Sequence, residues 1–447
     1  MQAVTLNDGE MSTDEVKSAA TKILKAAVAS TRNHSIVVIT AQEVSKAWIP
    51  DLSDTPWTVL KTELDLNLGY ALQTLIFVRH GLEVTTRLLP EDFDLDKFEE
   101  QKDFEARACQ GYEGCTSYGV KRNCIGVKGF RSCTKGSSVT ILEISYWTGH
   151  QQLSTLLVVA NSHLGYIKDP LEKQMLSRAK ELAQLMHFVK GASGDFKVPV
   201  LMMGDWNFRF SPASGIKAAI EEKSTELADF FNSNYQHVGP IIGPDGDGKM
   251  HLSNMESPGQ KVQSQVLYDE YTVGRGLLAQ VAATGTEDVK NAIPADMIGF
   301  GYLVDGAFQA REDDLPLTCK YKELKDDETR TPVEVDNSLD LAVLDDFDPL
   351  DGSSDEMWED FTAAKHNLKI DSKGHVKRAP SRCDKVTWSS GSLQGDALVL
   401  NANYGIGAVD TTAIVELTKT DHIALTAVFD VMLYEQLEAV EFRNAIL

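Results

Sequence analysis

The feature that most constrains this chain is a series of short apolar runs rich in β-branched residues, several of which end in polar or ionisable side chains. The runs cover residues 35–41, 72–78, 139–144, 156–160, 198–203 and 424–431. Runs of this length and composition are typical of buried strands. Amphipathic helices are predicted over residues 12–29 and 171–190, where apolar residues recur at helical spacing. Because several strands follow one another directly, the pattern favours a two-sheet sandwich with outer helices over a purely parallel sheet.

The chain has 447 residues, which one large α/β domain with insertions can absorb. We predict a single domain over residues 1–432, followed by a helical tail over residues 433–447. Three stretches have the composition of insertions, at about residues 90–130, 235–300 and 325–370. Within the last of these, residues 341–364 contain eight acidic residues and no basic residue, which predicts a solvated or disordered loop.

The charge of the chain limits its partners. Lys and Arg number 43 against 66 Asp and Glu, for a net charge of -23, which argues against nonspecific binding to nucleic acid or to anionic membranes. Two segments run against this average, because residues 117–142 carry five basic and no acidic residues and residues 373–385 carry five basic residues and one acidic residue. We therefore expect a locally positive cleft on an acidic body.

Targeting signals and cysteines bear on the compartment of the protein. The sequence has no apolar run of about 18 residues and no signal-peptide pattern, so we expect a cytoplasmic protein, with peripheral contact at the cytosolic face of membranes as a further expectation. Six cysteines in 447 residues are too sparse for a disulfide scaffold, so the simpler interpretation is a reduced compartment.

Polar residues that follow the apolar runs are the candidates for chemistry. Glu43 can bind a hard cation such as Mg²⁺ or can simply start a helix, and His163 can donate to a phosphate or satisfy a loop carbonyl. Asp205 and Asn207 can activate a water and support developing charge, or they can form an Asx-turn. Asp421-His422 can pair an orienting acid with an imidazole, or form a polar surface turn.

Taken in order, these segments resemble the endonuclease/exonuclease/phosphatase superfamily of metal-dependent phosphoesterases. Three further blocks are similar to those of inositol polyphosphate 5-phosphatases within that superfamily. They are Pro380-Ser-Arg-Cys-Asp-Lys385, Leu315-Pro-Leu-Thr-Cys-Lys-Tyr321 and Thr134-Lys-Gly-Ser-Ser-Val139. The resemblance extends from about residue 4 to residue 431.

The resemblance implies a four-layer, DNase I-like α/β sandwich, in which two mostly antiparallel sheets are flanked by helices. It also implies Mg²⁺-dependent hydrolysis of the 5-phosphate of phosphoinositides or soluble inositol polyphosphates by direct attack of water. The implied metal ligands are Glu43, assisted by Asn7. The implied catalytic residues are Asp205, Asn207, His163, His422, Asp384 and Asp421, and the implied substrate-binding residues are Lys135, Lys320, Tyr321, Arg382 and Lys385.

The chain departs from the family pattern in the predicted substrate-binding blocks. Arg382 replaces a Trp, Lys385 an Arg, Cys319 a Tyr and Thr134 an Asn. These changes affect which phosphates are held more than they affect the reaction type. Two alternatives stay open: another phosphoesterase of the same superfamily, such as a nuclease or a sphingomyelinase-like enzyme, and a weakly active scaffold that binds inositol phosphates. A phosphoinositide or inositol phosphate is the expected partner, and nucleic acid is not.

Overall fold

The structure is a computed structural model of the chain. It describes residues 1–9, 11–29, 34–44, 48–52, 55–66, 70–89, 93–96, 104–108, 116–125, 132–165, 171–234, 250–252, 256–257, 260–261, 265–304, 317–319, 321, 324, 381–392 and 397–435. The strands are β1 (Gln2–Asn7), β2 (Ile36–Val44), β3 (Trp57–Asp65), β4 (Ala71–Arg79), β5 (Glu83–Arg87), β6 (Phe104–Ala108), β7 (Thr116–Ile125), β8 (Ser132–Trp147), β9 (Gln152–His163), β10 (Val200–Asp205), β11 (Phe210–Pro212), β12 (Met250–Leu252), β13 (Glu256–Ser257), β14 (Gln260–Lys261), β15 (Gln265–Asp269), β16 (Asp384–Ser389), β17 (Leu398–Leu400), β18 (Ile406–Ala408), β19 (Leu425–Val431) and β20 (Tyr434–Glu435). The α-helices are α1 (Thr13–Ala29), α2 (Leu171–Ala192), α3 (Ala213–Glu221), α4 (Thr225–Asn234), α5 (Glu270–Thr284), α6 (Glu287–Asn291) and α7 (Ile298–Val304).

Two large sheets form the centre of the described structure. The first has the order β17-β19-β1-β2-β4-β3, with β18 also paired to β19. The second has the order β16-β10-β9-β8-β7-β6, with β20 on β9 and β5 on β8. Most neighbours are antiparallel, but β1 and β2 are parallel, as are β9 and β10. The predicted two-sheet α/β sandwich with outer helices is thus confirmed.

The layers follow from where apolar side chains are buried. Val38 and Ile76 of the first sheet pack with Val159 and Trp388 of the second in one buried cluster between the sheets. The outer face of the first sheet packs on α1, and the outer face of the second packs on α2 to α5 and α7. The order of layers is therefore helix, sheet, sheet, helices, which is the four-layer, DNase I-like arrangement.

The strand register brings distant parts of the sequence to one end of the sandwich. Asn7 pairs with Gln42 across the parallel strands β1 and β2. On the other sheet, Asp205 lies opposite His163 on one side and opposite Asp384 on the other. The carboxyl ends of β1, β2, β9 and β10 and the start of β16 therefore lie at the same end of the sandwich.

Part of the stretch at residues 235–300, which was predicted to be an insertion, contributes to the buried core. Tyr271 and Phe300 are fully buried and pack against Phe208, with ring centroids 5.6 Å and 5.5 Å from it. Arg178 of α2 forms a fully buried ion pair with Glu270 at the start of α5. The Gly-rich and polar residues nearer residue 240 obscured this core segment, because they lowered the periodicity of the whole window.

Three other expectations can be compared with the described residues. Tyr434–Glu435 is a short strand on β9, although residues 433–447 were predicted to form a helical tail. Residues from 436 onward, like the acidic stretch 341–364, lie outside the described residues. In the part of the chain that the structure describes, no helix is long and apolar enough to cross a membrane.

Within the described residues, the structure contains a disulfide that the sparse cysteines did not predict. Cys319 and Cys383 are bonded, with Cα atoms 6.0 Å apart, and both are fully buried. The backbone of Cys319 also pairs with Ser381 and with His422 in isolated antiparallel β-bridges. The fold places these two residues, which are 64 positions apart in sequence, side by side.

Candidate active site

Asp205 lies at the centre of the polar cluster at the strand ends. Its Oδ2 accepts a hydrogen bond from Nδ2 of Asn7 at 3.0 Å and lies 3.1 Å from Nε2 of His163. Nε2 of His422 is 3.9 Å from the same oxygen. The predicted residues Asn7, His163, Asp205 and His422 thus converge from both sheets on one carboxylate.

Glu43 and Lys135 complete one side of the cluster. Nζ of Lys135 lies 3.3 Å from Oε1 of Glu43, and it contacts the imidazole of His163. The Glu43 side chain is one-third exposed, whereas the side chain of His163 is fully buried. A buried imidazole and a partly open carboxylate therefore share one ammonium group at the mouth of the site.

Asp384 and His422 form the other side. Oδ2 of Asp384 lies 2.8 Å from Nδ1 of His422, and Oδ1 of Asp421 lies 3.6 Å from Nε2. The backbone N–H of Asp384 donates to the Thr318 hydroxyl at 2.9 Å, which fixes the acid at the start of β16. In this geometry, Asp384 can orient the imidazole of His422.

Two site residues have unusual backbone conformations. Glu43 has φ 57° and Asn207 has φ 56°, in the left-handed region that costs energy for residues other than glycine. Glu43 lies in a bulge between Ala41 and Val44, where the register of β2 and β4 shifts. The bulge and the turn after β10 re-aim these two side chains at the end of the sandwich.

Gly204 is required by the close approach of β9 and β10. It has φ 145°, and a Cβ atom there would lie 1.9 Å from the carbonyl oxygen of Ser162. Any side chain would push the strands that carry His163 and Asp205 apart. The glycine before Asp205 therefore sets the distance between two site residues.

The basic side chains of the site hold its carboxylates ionised. Burial alone would raise the pKa of Asp205, but His163, His422 and Lys135 bring it well below its usual range. For Glu43, burial is likewise outweighed by His163 and Lys135, and the pKa is lowered. Both groups are therefore acceptors at neutral pH.

The two histidines differ in their charge preference. Burial lowers the pKa of His163, and the Lys135 ammonium lowers it further, against the opposing effect of Asp205. Burial also acts on His422, but Asp384 outweighs it, with help from Asp205 and Asp421, and the pKa is raised. Burial raises the pKa of Asp384 itself. His422 is thus the imidazole that favours the charged form.

The residues near Glu43 fit a hard divalent cation. A Cβ atom at Gly9 would lie 3.2 Å from Oε2 of Glu43 and 3.5 Å from Oδ1 of Asn7, so the glycine keeps space open beside these two oxygens. Oδ1 of the buried Asp8 has no hydrogen-bond partner among the described residues. Carboxylate and carbonyl oxygens are the ligands of Mg²⁺, which usually keeps several waters.

The donor set is small. Among the described residues, no group of three or more His, Cys, Asp or Glu side chains is spaced to hold a metal ion. A cation held by one or two carboxylates and by water is compatible with that finding, because Mg²⁺ rarely takes an all-protein cage. Glu43 and Asn7 are the residues that would hold it.

The predicted substrate-binding residues do not all face the site. Lys135 contacts Glu43 and His163, whereas the other described members are buried. The hydroxyl of the fully buried Tyr321 donates to the carbonyl of Leu317 at 2.6 Å, and Arg382 is buried. The ammonium of Lys385 lies 4.5 Å from the centre of the Tyr271 ring, on the helix side of β16. Lys320 lies outside the described residues.

Several contributors were missed by sequence reasoning. The Thr420 hydroxyl donates to the carbonyl of Asn7 at 2.8 Å and accepts from the backbone N–H of His422 at 3.2 Å, so it joins two site residues. Arg209 donates to Oδ1 of Asn207 at 2.6 Å. Both lie within two residues of a predicted site residue, and that proximity was the only signal available.

Comparison with known proteins gives a fold-level likeness. Neither a protein-family model nor a curated protein matches the chain. Among solved structures, it is similar to ANGEL2, a 2',3'-cyclic phosphatase, in complex with adenosine-2',3'-vanadate, with a TM-score of 0.38 and 12% identity over 96% of this chain and 95% of that one. It is also similar to the human Nocturnin catalytic domain with bound sulfate, with a TM-score of 0.35 and 9% identity over 97% and 94% of the two chains.

A third similar structure is an endonuclease/exonuclease/phosphatase family protein from Bacteroides thetaiotaomicron, with a TM-score of 0.36 and 6% identity over 98% of each chain. The identities and TM-scores are low, so the roles of the site residues rest on the geometry of this chain. The fold is a DNase I-like α/β sandwich, and the site is an acid–imidazole cluster at its strand ends.

Proposed function

We propose that this protein is a metal-dependent phosphoesterase of the endonuclease/exonuclease/phosphatase superfamily. More finely, we propose a Mg²⁺-dependent phosphatase that removes the 5-phosphate of phosphoinositides or soluble inositol polyphosphates. The observation that supports the reaction class best is the position of Asp205, an ionised carboxylate within 3.1 Å of both Asn7 and His163. A carboxylate so placed can orient a water molecule and accept its proton.

The reaction would proceed by direct displacement. A water held by Asp205 attacks phosphorus and gives its proton to the carboxylate. The bond from phosphorus to the ester oxygen breaks, and the leaving alkoxide takes up a proton from solvent water. His422, whose pKa is raised by Asp384 against the effect of burial, can donate to a phosphate oxygen. Asn207 and His163 can supply further N–H donors as charge develops.

A divalent cation beside Glu43 and Asn7 would supply Lewis-acid stabilisation of the phosphoryl charge. The chain's own part is to present oxygen donors there and to keep Lys135 nearby as a second positive group. Lys135 is almost fully buried at the site, and a fixed ammonium in such surroundings attracts phosphate oxygens more strongly than one in water. No covalent intermediate is required.

The substrate class follows from the sequence resemblance and from the local charge. Lys135 lies in the basic stretch 117–142, next to the site residues Glu43 and His163, on a chain with a net charge of -23. Such a cleft would favour a compact polyphosphorylated substrate, presented in the cytoplasm or at the cytosolic face of a membrane.

A second candidate is another phosphoesterase of the same superfamily, such as a nuclease or a sphingomyelinase-like enzyme. The burial of Tyr321 favours it, because this side chain belongs to a block that carries the inositol-specific resemblance, and Arg382 and Lys385 depart from that pattern. Asp205, His163 and His422 serve either candidate equally.

The test is a panel assay of the full chain with Mg²⁺. Phosphate release would be measured from inositol 1,4,5-trisphosphate and from lipid vesicles of the 4,5-bisphosphate and 3,4,5-trisphosphate. Release of nucleotides from single-stranded DNA and of phosphocholine from sphingomyelin would be measured beside it. Turnover of a 5-phosphorylated inositol compound at least tenfold above the others supports the finer proposal. Preference for DNA or sphingomyelin supports the second candidate, and no turnover of any compound contradicts both.

A further inference from the structure

Asn207 is held in its left-handed backbone conformation by three hydrogen bonds. Its backbone N–H donates to Oδ1 of Asp205 at 2.9 Å, and its Nδ2 donates to the carbonyl of Leu164 at 3.0 Å. The third bond comes from Arg209, whose guanidinium donates to Oδ1 of Asn207 at 2.6 Å. Both ends of the Asn207 carboxamide therefore have fixed partners.

Arg209 is itself anchored at both ends. Its backbone N–H donates to Oε2 of Glu270 at 3.0 Å, and its carbonyl accepts from the backbone N–H of Glu270 at the same distance. Its guanidinium donates to the sulfurs of Cys319 and Cys383, each at 2.9 Å. The guanidinium thus spans from the disulfide to Asn207 without freedom to swing away.

The chemistry of the two groups allows one orientation of the carboxamide. A guanidinium has donors only, whereas a carboxamide has one accepting and one donating end. A flipped Asn207 would place its NH₂ against the donors of Arg209 and its oxygen against the carbonyl of Leu164, which are two repulsive contacts. The observed orientation leaves the second N–H of Nδ2 available for an anionic oxygen.

We propose that Arg209 is a positioning residue that fixes the carboxamide of Asn207 so that it presents an N–H, and not an oxygen, to the phosphoryl group. The catalytic half of this inference rests on the proposed function. The orientation itself does not, since it follows from the contacts of Arg209, Asn207 and Leu164. Lysine cannot replace Arg209 fully, because one ammonium cannot match the planar fork that reaches Asn207 and both sulfurs.

The test is a double-mutant cycle in the full chain. Asn207→Ala, Arg209→Met and the double variant would be compared for kcat and KM with inositol 1,4,5-trisphosphate and Mg²⁺. Loss of one transition-state donor lowers kcat by about a hundredfold. We expect each single variant and the double variant to show this same loss with KM changed less than about threefold, because the two residues act as one unit.

Two further variants separate positioning from stability. Arg209→Lys should recover part of kcat, and guanidinium ion added to Arg209→Ala should restore activity in a saturable way. Leu24→Ala, which opens a cavity beneath α1 on the outer face of the first sheet, should lower the melting temperature without the loss of kcat. The proposal would be overturned if the losses in the double variant multiplied independently, or if Leu24→Ala lost as much kcat as Arg209→Met.

An activity-independent measurement covers the case in which the wild-type chain hydrolyses nothing. The side-chain amide signals of Asn207 can be assigned in an asparagine-¹⁵N-labelled sample by their loss in Asn207→Ala. We expect those signals to shift or broaden in Arg209→Met and to stay unchanged in Leu24→Ala. Unchanged signals in Arg209→Met overturn the positioning role, whereas an inactive wild type with shifted signals overturns only the proposed function.

Discussion

Asp384 and His422, 38 residues apart in sequence, lie with Oδ2 and Nδ1 2.8 Å apart, and both side chains are almost completely buried. The pair is built by two segments that meet through Thr318, whose hydroxyl accepts from the N–H of Asp384 and whose carbonyl accepts from the N–H of Ile423 at 2.7 Å. Burial acts against a charged imidazole, yet the carboxylate raises the pKa of His422. The dyad therefore keeps a proton donor at the site to higher pH than an isolated histidine would.

Replacement of Asp384 by Asn should move the alkaline limb of the pH profile. Without the carboxylate, the pKa of His422 falls, so the protonated donor is lost at lower pH than in the wild type. We expect the alkaline limb of kcat/KM to shift to lower pH, while the new carboxamide preserves the shape of the side chain. A limb at the wild-type position in this variant would contradict the role of His422 as a cationic donor.

The Asp384–His422 dyad also makes the free energy of unfolding depend on pH. Because the folded pKa of His422 is raised, its contribution is complete below the unfolded value of 6.5 and is lost as the pH rises through the folded value. Urea unfolding of the wild type at several pH values should show that the free energy of unfolding falls as the pH rises through the folded pKa of His422. The loss should be smaller in Asp384→Asn.

A side chain at Gly204 should separate the strands that carry His163 and Asp205. Gly204→Ala should lower the free energy of unfolding by about 3 kcal/mol or more, because the new Cβ meets the carbonyl of Ser162. Gly149→Ala is the matched control, since Gly149 also has positive φ but has no atom within 4 Å of a new Cβ. The control should cost about 1 kcal/mol. Equal costs in urea unfolding would show that strand approach is not the constraint.

A methyl group at Gly9 should weaken binding of the cation. The added Cβ would lie beside Oε2 of Glu43 and Oδ1 of Asn7, so we expect the Kd for Mn²⁺, read by electron paramagnetic resonance, to rise about tenfold. Gly407→Ala, where a Cβ meets nothing within 4 Å, should leave the Kd unchanged. Unaltered Mn²⁺ binding in Gly9→Ala would place the cation elsewhere.

The buried ion pair between Arg178 and Glu270 should matter for stability. Arg178→Met leaves a buried carboxylate without its cation, which costs about 3–5 kcal/mol. Lys290→Met removes a surface ion pair with Glu287 and should cost well under 1 kcal/mol. If thermal or urea unfolding gives similar small costs for both, residues 265–304 are not part of the cooperative core.

The sequence was informative where local pattern and final environment agree. Buried strands such as β2 and β10 have continuous apolar runs, and the polar residues after them lie at one edge because the strands end together. The two-sheet arrangement and the convergence of Glu43, His163 and Asp205 could be anticipated for that reason. The helix α1 was predicted within one residue of its start because its apolar stripe faces a single layer.

Other features depend on contacts between segments far apart in sequence. Lys385 was predicted to bind substrate. Because consecutive side chains of a strand point to opposite faces, Lys385 lies on the other face of β16 from Asp384, where its ammonium group contacts the Tyr271 ring. The Cys319–Cys383 bond could not be predicted from local pattern, because it depends on how the segment that contains Cys319 packs beside the start of β16. The core role of Tyr271 and Phe300 was hidden because their shared partner Phe208 lies in the segment after β10, far away in the chain. Pattern within one window cannot show such partners.

The central claim is that Asp205 activates water for phosphoester hydrolysis, and it is tested most directly by Asp205→Asn in the Mg²⁺ phosphate-release assay. The matched control is Asp410→Asn, an identical change at an exposed turn residue that bonds only Thr412 and Ala413 in the described structure. We predict a fall in kcat of at least about a hundredfold for Asp205→Asn, with substrate binding retained, and wild-type turnover for Asp410→Asn. Wild-type phosphate release by Asp205→Asn would contradict the account.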